Sequence, residues 1–136
     1  MRTCEVIQSR NGTYKLHTEQ IYIHSKVIIV DDDIVIMGSA NINDRSMLGF
    51  KDSEIAIRVE DETKIPSKMG GQNVMVSKFA SQLRRALYSE HISQDEKDCV
   101  DPLAMQCQLK IRKIAKTNTL IYRKVFHCYP DDNQSR

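Results

Sequence analysis

A large excess of either charge, long apolar runs and paired cysteines are all missing from these 136 residues, and each absence closes off a class of protein. Twenty basic against 18 acidic side chains leave a formal charge of +2, far from the strong basic excess of a dedicated nucleic-acid binder. No nucleic-acid partner is expected, although a phosphate-handling pocket stays open. The longest apolar runs, 27–30 and 34–37, fall well short of the roughly 18 residues that span a bilayer. Behind Met1, a single Arg2 is followed by no apolar stretch, so no secretory signal is read and a cytoplasmic location is expected. Four cysteines, Cys4, Cys99, Cys107 and Cys128, are too irregularly spaced for a disulfide scaffold or a paired zinc site. Reduced thiols, no metal and no cofactor are the expectation.

What is present suits one ordinary domain, with 40% hydrophobic and 28% charged residues and material for a single core. Residues 21–30, 34–37 and 53–59 are rich in β-branched side chains and read as strands. The stretch 63–72, with Pro66 and Gly70-Gly71, reads as a linker. Beyond it Val76, Phe79, Ala80, Leu83 and Leu87 recur at helical steps. They predict an amphipathic helix whose stripe faces a core, with Lys78 and Arg84-Arg85 on the solvent side. Asp101-Pro102 predicts the start of a second helix through Ala115, and Asn118 the cap of a third through Val125. The expected organisation is a β-rich region at 1–62, the linker, a helical region of the same domain at 73–128 and a loose tail at 129–136. The fold class is α/β, with α+β as the alternative.

Chemistry concentrates around His24 and Lys26. On a strand the two point to one face, which either meets water at a sheet edge or holds an anion that compensates both cations. If Asp32-Asp33 make a two-residue turn, Asp31 pairs with Ile34, Lys26 with Ser39 and His24 with Asn41. Four polar side chains then converge in a set suited to a tetrahedral phosphate, and Gly38 allows close backbone approach to the same ligand. A three-residue turn would shift the register by one and turn Ser39 and Asn41 away.

His24-x-Lys26, then Asp31, then Gly38-Ser39-Ala40-Asn41 resembles the HKD signature of the phospholipase D superfamily. The segment 38–49 and Asp52-Ser53-Glu54 resemble the second HKD region of the eukaryotic phosphatidylcholine-hydrolysing enzymes, more than the bacterial nucleases or cardiolipin synthases. Residues 117–122 and Lys124-Val125-Phe126 resemble the stretch beyond that motif. The resemblance implies part of a phospholipase D-type sandwich and hydrolysis of phosphatidylcholine to phosphatidic acid and choline through a phosphohistidine, with transphosphatidylation to a primary alcohol. His24, Lys26 and Glu54 are the implied catalytic residues, with His24 as general acid or, alternatively, as the nucleophile. Lys26, Ser39 and Asn41 are implied to bind phosphate, Glu54 to accept a bond from the His24 ring, and Asp31 and Gly38 to hold the motif's shape.

Family members build one site from two HKD motifs, whereas His17, His91 and His127 lack the residues of a second copy. In-line displacement at phosphorus needs one group to attack and another to protonate the leaving oxygen. The expected partner is a first-motif half, the present chain being a fragment, or a second copy of this chain in a single-motif phosphodiesterase of the nuclease kind. A non-catalytic relic is the remaining alternative. Lys110, Arg112, Lys113 and Lys116 form a basic cluster that either faces solvent or makes a peripheral membrane contact.

Overall fold

The computed structural model describes residues 2–20 and 22–126, with the side chains of 2–4, 18–20 and 126 left aside. The order of elements is β1 (Arg2–Gln8), β2 (Tyr14–Gln20), β3 (Lys26–Val30), β4 (Ile34–Gly38), α1 (Asp44–Met47), β5 (Ala56–Glu60), β6 (Lys64–Met69), β7 (Gln72–Ser77), α2 (Lys78–Ile92) and α3 (Met105–Phe126). A 3-10 turn at Glu96–Cys99 separates the last two helices. Strands first and helices after is the expected α/β organisation. The strands pair as β1-β2, β3-β4-β5 and β6-β7. Two compact units are distinguished, Met1–Val27 with Met37–Ile57, and Ile28–Ile36 with Arg58–Arg136.

In the first unit β1 and β2 form an antiparallel hairpin from Arg2↔Gln20 to Gln8↔Tyr14. Its loop is closed by Asn11, whose Oδ1 accepts from the Thr13 N–H at 3.2 Å and hydroxyl at 2.7 Å, while Gly12 takes φ +81°. An Asx bond ahead of a left-handed glycine thus closes a five-residue loop, Ser9–Thr13. The strand expected over 21–30 begins only at Lys26.

In the second unit the turn after β3 takes residues 31–33 out of the strands, not Asp32-Asp33 alone. Asp31 and Asp32 both adopt positive φ, +51° and +53°, and the Asp33 N–H donates to the Val30 carbonyl at 2.9 Å. Aspartate tolerates this left-handed region better than most residues. Asp32 is also drawn inward. Its carboxylate receives Arg84 Nε at 2.6 Å and Nη2 at 2.7 Å, and Arg84 Nη1 reaches the Cys99 carbonyl at 2.8 Å. Arg84 is therefore buried and not on a solvent face. Burial opposes its charge, but the bonds and charge of Asp32 outweigh it and raise the guanidinium pKa.

The stretch read as a linker is β6 and its turn. β6 pairs with β7 from Lys64↔Ser77 to Met69↔Gln72, joined by Gly70-Gly71 at φ +62° and +81°, a two-residue turn that needs positive φ at both positions. Pro66 is tolerated because a two-stranded sheet has only edge strands. Val76 consequently belongs to β7, and α2 starts at Lys78. The inward side of α2 carries Ala80, Ser81, Arg84 and Ile92, while Phe79 is exposed. The helix start is capped by Asp61, which accepts from Phe79 N–H at 3.1 Å.

Asp101 does not begin a helix directly. Its carboxylate accepts from Gly70, Gly71, Leu103 and Ala104 N–H groups at 2.7–3.1 Å, tying the β6-β7 turn to the lead-in of α3. The second and third helices expected are one, Met105–Phe126. Asn118 is exposed and Thr119 returns its hydroxyl to the Ala115 carbonyl at 2.9 Å, so neither interrupts the ladder. A small core joins Ile92, Cys99 and Cys107 with Tyr88, Ala104, Ile111 and Ile114. The thiols of Cys99 and Cys107 are free, and burial followed by the Cys99 contact raises Cys107 to about 11. The expectations for Cys128 and for 129–136 lie outside the described residues.

Candidate functional site

The four residues that the spacing singled out for chemistry, His24, Lys26, Ser39 and Asn41, and Glu54, which the resemblance added, all fall in the first unit. Lys26 opens β3, and its Nζ donates to the His24 carbonyl at 2.7 Å, which pins the segment just before the strand. The His24 side chain is exposed, with its ring 6.0 Å from that of Tyr22 at an interplanar angle of 29°.

β4 ends at Gly38 against the start of β5. A Cβ at Gly38 would lie 2.2 Å from the Ile55 carbonyl and 2.6 Å from Ala56 Cα, so only glycine fits. The close approach seen there is to the neighbouring strand. Ser39 continues this pairing, its N–H donating to the Ile55 carbonyl at 2.9 Å and its hydroxyl accepting from Ile55 N–H at 3.0 Å. The same hydroxyl donates to Glu54 Oε2 at 2.5 Å.

Beyond Ser39 the chain is held by the short helix α1. Asn43 caps it by accepting from Ser46 N–H at 3.0 Å, and Ser46 Oγ in turn accepts from Asn41 N–H at 3.0 Å. The Arg45 guanidinium pairs with Asp52 at 3.0 Å, which closes the loop between α1 and Glu54. Hydrogen bonds from Ser39 and then Ser46, with the nearby charges of Lys26 and Arg45, hold the Glu54 carboxyl below its usual 4.5 against the opposing effect of burial.

Ser39 and Glu54 are brought together, with Lys26 near enough for its charge to act on that carboxyl. The turn is made by Asp31-Asp32 and not Asp32-Asp33, so the pairings Lys26 with Ser39 and His24 with Asn41 lose the register they rested on, and two partners differ from those expected. Glu54 is occupied by Ser39 and Ser46, where a bond from the His24 ring was expected. Ser39 commits its single hydroxyl proton to Glu54, so the donors left open are the remaining Lys26 N–H groups, the exposed Asn41 amide and the His24 ring. Asp31 lies exposed in its turn with no side-chain partner among the described residues. The carboxylates that bind neighbours there are Asp32, on Arg84, and Asp33, on Lys64 and Ser77. Ser46 was not anticipated. The helix-start pattern Asn43-Asp44-Arg45-Ser46 is the signal that could have found it.

Beside Lys26 a mostly apolar cleft of about 490 Å³ runs between Val27, Met37, Gly38 and residues 55–57. One wall is cationic and the rest takes alkyl groups, a combination that suits an amphiphile carrying phosphate.

The family described as Phospholipase D matches residues 4–130. Phospholipase D zeta 1 of Arabidopsis thaliana is 45% identical over 119 residues, which cover 85% of this chain and 11% of that protein. Phospholipase D B of Dictyostelium discoideum is 42% identical over 126 residues, 90% of this chain and 10% of its own length. Human Phospholipase D1 is 43% identical over 121 residues, 86% and 11% respectively. The chain thus spans about a tenth of the relatives it matches.

Proposed function

Because the chain belongs to the phospholipase D family, we propose that His24, Lys26 and Asn41 are the working groups of one half of a phosphodiesterase site acting on phosphatidylcholine at a cytoplasmic membrane surface. The observation that supports this most is that Lys26 gives one bond to the His24 carbonyl and keeps its other N–H groups, while Asn41 is held through its backbone N–H and leaves its side-chain amide exposed. The complementary imidazole comes from a first-motif half outside these residues.

In the first step that imidazole attacks phosphorus, a P–N bond forms, the bond to the choline oxygen breaks, and His24 gives its proton to the departing alkoxide. Water then attacks phosphorus from the vacated side and surrenders a proton to His24. The P–N bond breaks and phosphatidic acid is left; a primary alcohol in place of water gives transphosphatidylation. Lys26 and the Asn41 amide bear the non-bridging oxygens as charge redistributes. Glu54 acts through Ser39 and Ser46 as a positioning residue.

The test mixes the full chain with a first-motif half of a relative and follows soluble phosphodiesters. The chain alone should give background turnover, and the mixture activity without a divalent metal at the centre. His24→Asn should lose a substrate with a poor leaving alkoxide by about 10²–10⁴, yet still release a burst of nitrophenol from a nitrophenyl ester, whose leaving group needs little protonation. Binding without a burst would make His24 the nucleophile. Robust turnover by a demonstrated monomer would contradict the half-site. A rate rising with the square of chain concentration would replace the foreign half by a second copy.

A further inference from the structure

Helix α3 carries Lys110, Arg112, Lys113, Lys116, Arg123 and Lys124 and not one acidic residue in its 22 positions. Its inward side is settled by packing, with Cys107 buried and Ile111 and Ile114 against the Ile92–Cys99 cluster. At about 100° per residue the opposite side, within about a third of the circumference, collects Met105, Leu109, Arg112, Lys113, Lys116 and Leu120. The three basic residues are exposed, and Met105, Leu109 and Leu120 are 71%, 57% and 45% exposed. An ordinary solvent face has no use for three large apolar side chains placed between cations. Lys110, nearer the core side, is already paired with Asp98 at 2.8 Å.

We propose that this outer face of α3 is a docking surface for an anionic lipid bilayer. The interleaving is what such a surface asks for: Met105, Leu109 and Leu120 enter the boundary between headgroups and acyl chains. The Lys and Arg stems lie along them with their charges at the level of the phosphates. From Met105 to Leu120 the face runs about 22 Å along the helix axis, which lets the cations act together. Among the described residues no helix is long and apolar enough to cross a membrane, so α3 lies on the surface. The proposal rests on α3 alone and not on the site's chemistry.

The test is co-sedimentation of the full chain with phosphatidylcholine vesicles, with and without about a third phosphatidylserine. Binding should require the anionic lipid and vanish in about 1 M salt, where the Debye length is about 3 Å. Arg112→Gln, Lys113→Gln and Lys116→Gln together should weaken partitioning on the order of a hundredfold, about fivefold for each charge removed. Leu109→Ser with Leu120→Ser should weaken it at low salt while leaving the salt dependence as steep. Circular dichroism checks that these exposed changes leave the helix intact. Equal binding to neutral vesicles, wild-type binding by the triple variant, or capture by polyglutamate without vesicle binding would each overturn the proposal; the last would assign the surface to an acidic protein. Turnover is not read, so a failed active-site assignment cannot imitate any of these outcomes.

Discussion

Two clusters built from the same kinds of side chain put them to opposite uses. In the second unit the Arg84 guanidinium is buried and spent: its nitrogens reach both Asp32 oxygens and the carbonyls of Cys99 and Val100. In the first unit the Glu54 carboxylate is satisfied by hydroxyls, while Lys26 gives one bond to a carbonyl and keeps the rest of its ammonium available. A charge with every partner inside the protein holds structure together. A charge positioned by neighbours but left with open valences is placed for a ligand.

The sharpest way to break this contrast is to remove one cation from each cluster. Arg84→Met leaves the Asp32 carboxylate buried and alone, which should cost about 3–5 kcal/mol in a urea unfolding curve. Lys26→Met should change stability by no more than about 0.5 kcal/mol and remove phosphodiester binding. If both cost the same, the division into spent and open charges is wrong. Gly38→Ala comes next, since its methyl would collide with backbone at Ile55 and Ala56. Overpacking of this kind costs about 1–3 kcal/mol, and the Ser39–Glu54 bond should be displaced with it.

Asp101→Ala tests a carboxylate of the spent kind at the surface. Losing its four backbone N–H partners should lower the urea midpoint, by less than Arg84→Met does, and loosen amide-exchange protection at Gly70 and Gly71 together. The smallest effect is in pH. Hydrogen bonds with Ser39 and Ser46 at Glu54, with Lys64 and Ser77 at Asp33, with the Thr63 N–H at Asp61, and with the Gly71 and Gly70 N–H groups at Asp101 hold each carboxyl below its ordinary value. The unfolded state therefore binds protons first on acidification. Their stabilisation is complete above the unfolded values of 4.5 for Glu54 and 3.8 for the aspartates, and is lost as pH falls through the lower folded ones. The melting temperature should stay level above about pH 5 and fall below about pH 4, less steeply in Glu54→Gln.

The same contrast explains what could be read from the chain alone. His24, Lys26, Ser39 and Asn41 were legible because a ligand site demands particular residue types at short spacings, Glu54 only through the resemblance of Asp52-Ser53-Glu54, and strands before helices followed from the change of period. Arg84 was not legible. Helical periodicity placed it on the polar side of α2, and Asp32, 52 residues away, with the Cys99 and Val100 carbonyls, turns it inward. Pro66 and Gly70-Gly71 suggested a linker because each is a breaker in isolation, yet one sits in an edge strand and the others supply the positive φ of a hairpin turn. The β1-β2 hairpin carried polar strands such as Tyr14–Gln20 that no apolar run announced, leaving Asn11-Gly12 as its one local signal. Ser39 shows the limit at the site itself: spacing named the residue, but the direction of its single proton depends on Glu54.

The central claim is that the open donors of the first unit bind a phosphodiester. Amide shift mapping of the full chain during titration with glycerophosphocholine tests it without requiring turnover. The account predicts saturable shifts centred on Lys26, Ser39 and Asn41 that disappear in Lys26→Met, with the amides of Arg84 and Asp32 unmoved. Shifts centred instead on the cleft formed by Arg85, Ser89 and Lys97, or shifts at Lys26 that persist in Lys26→Met, would contradict it.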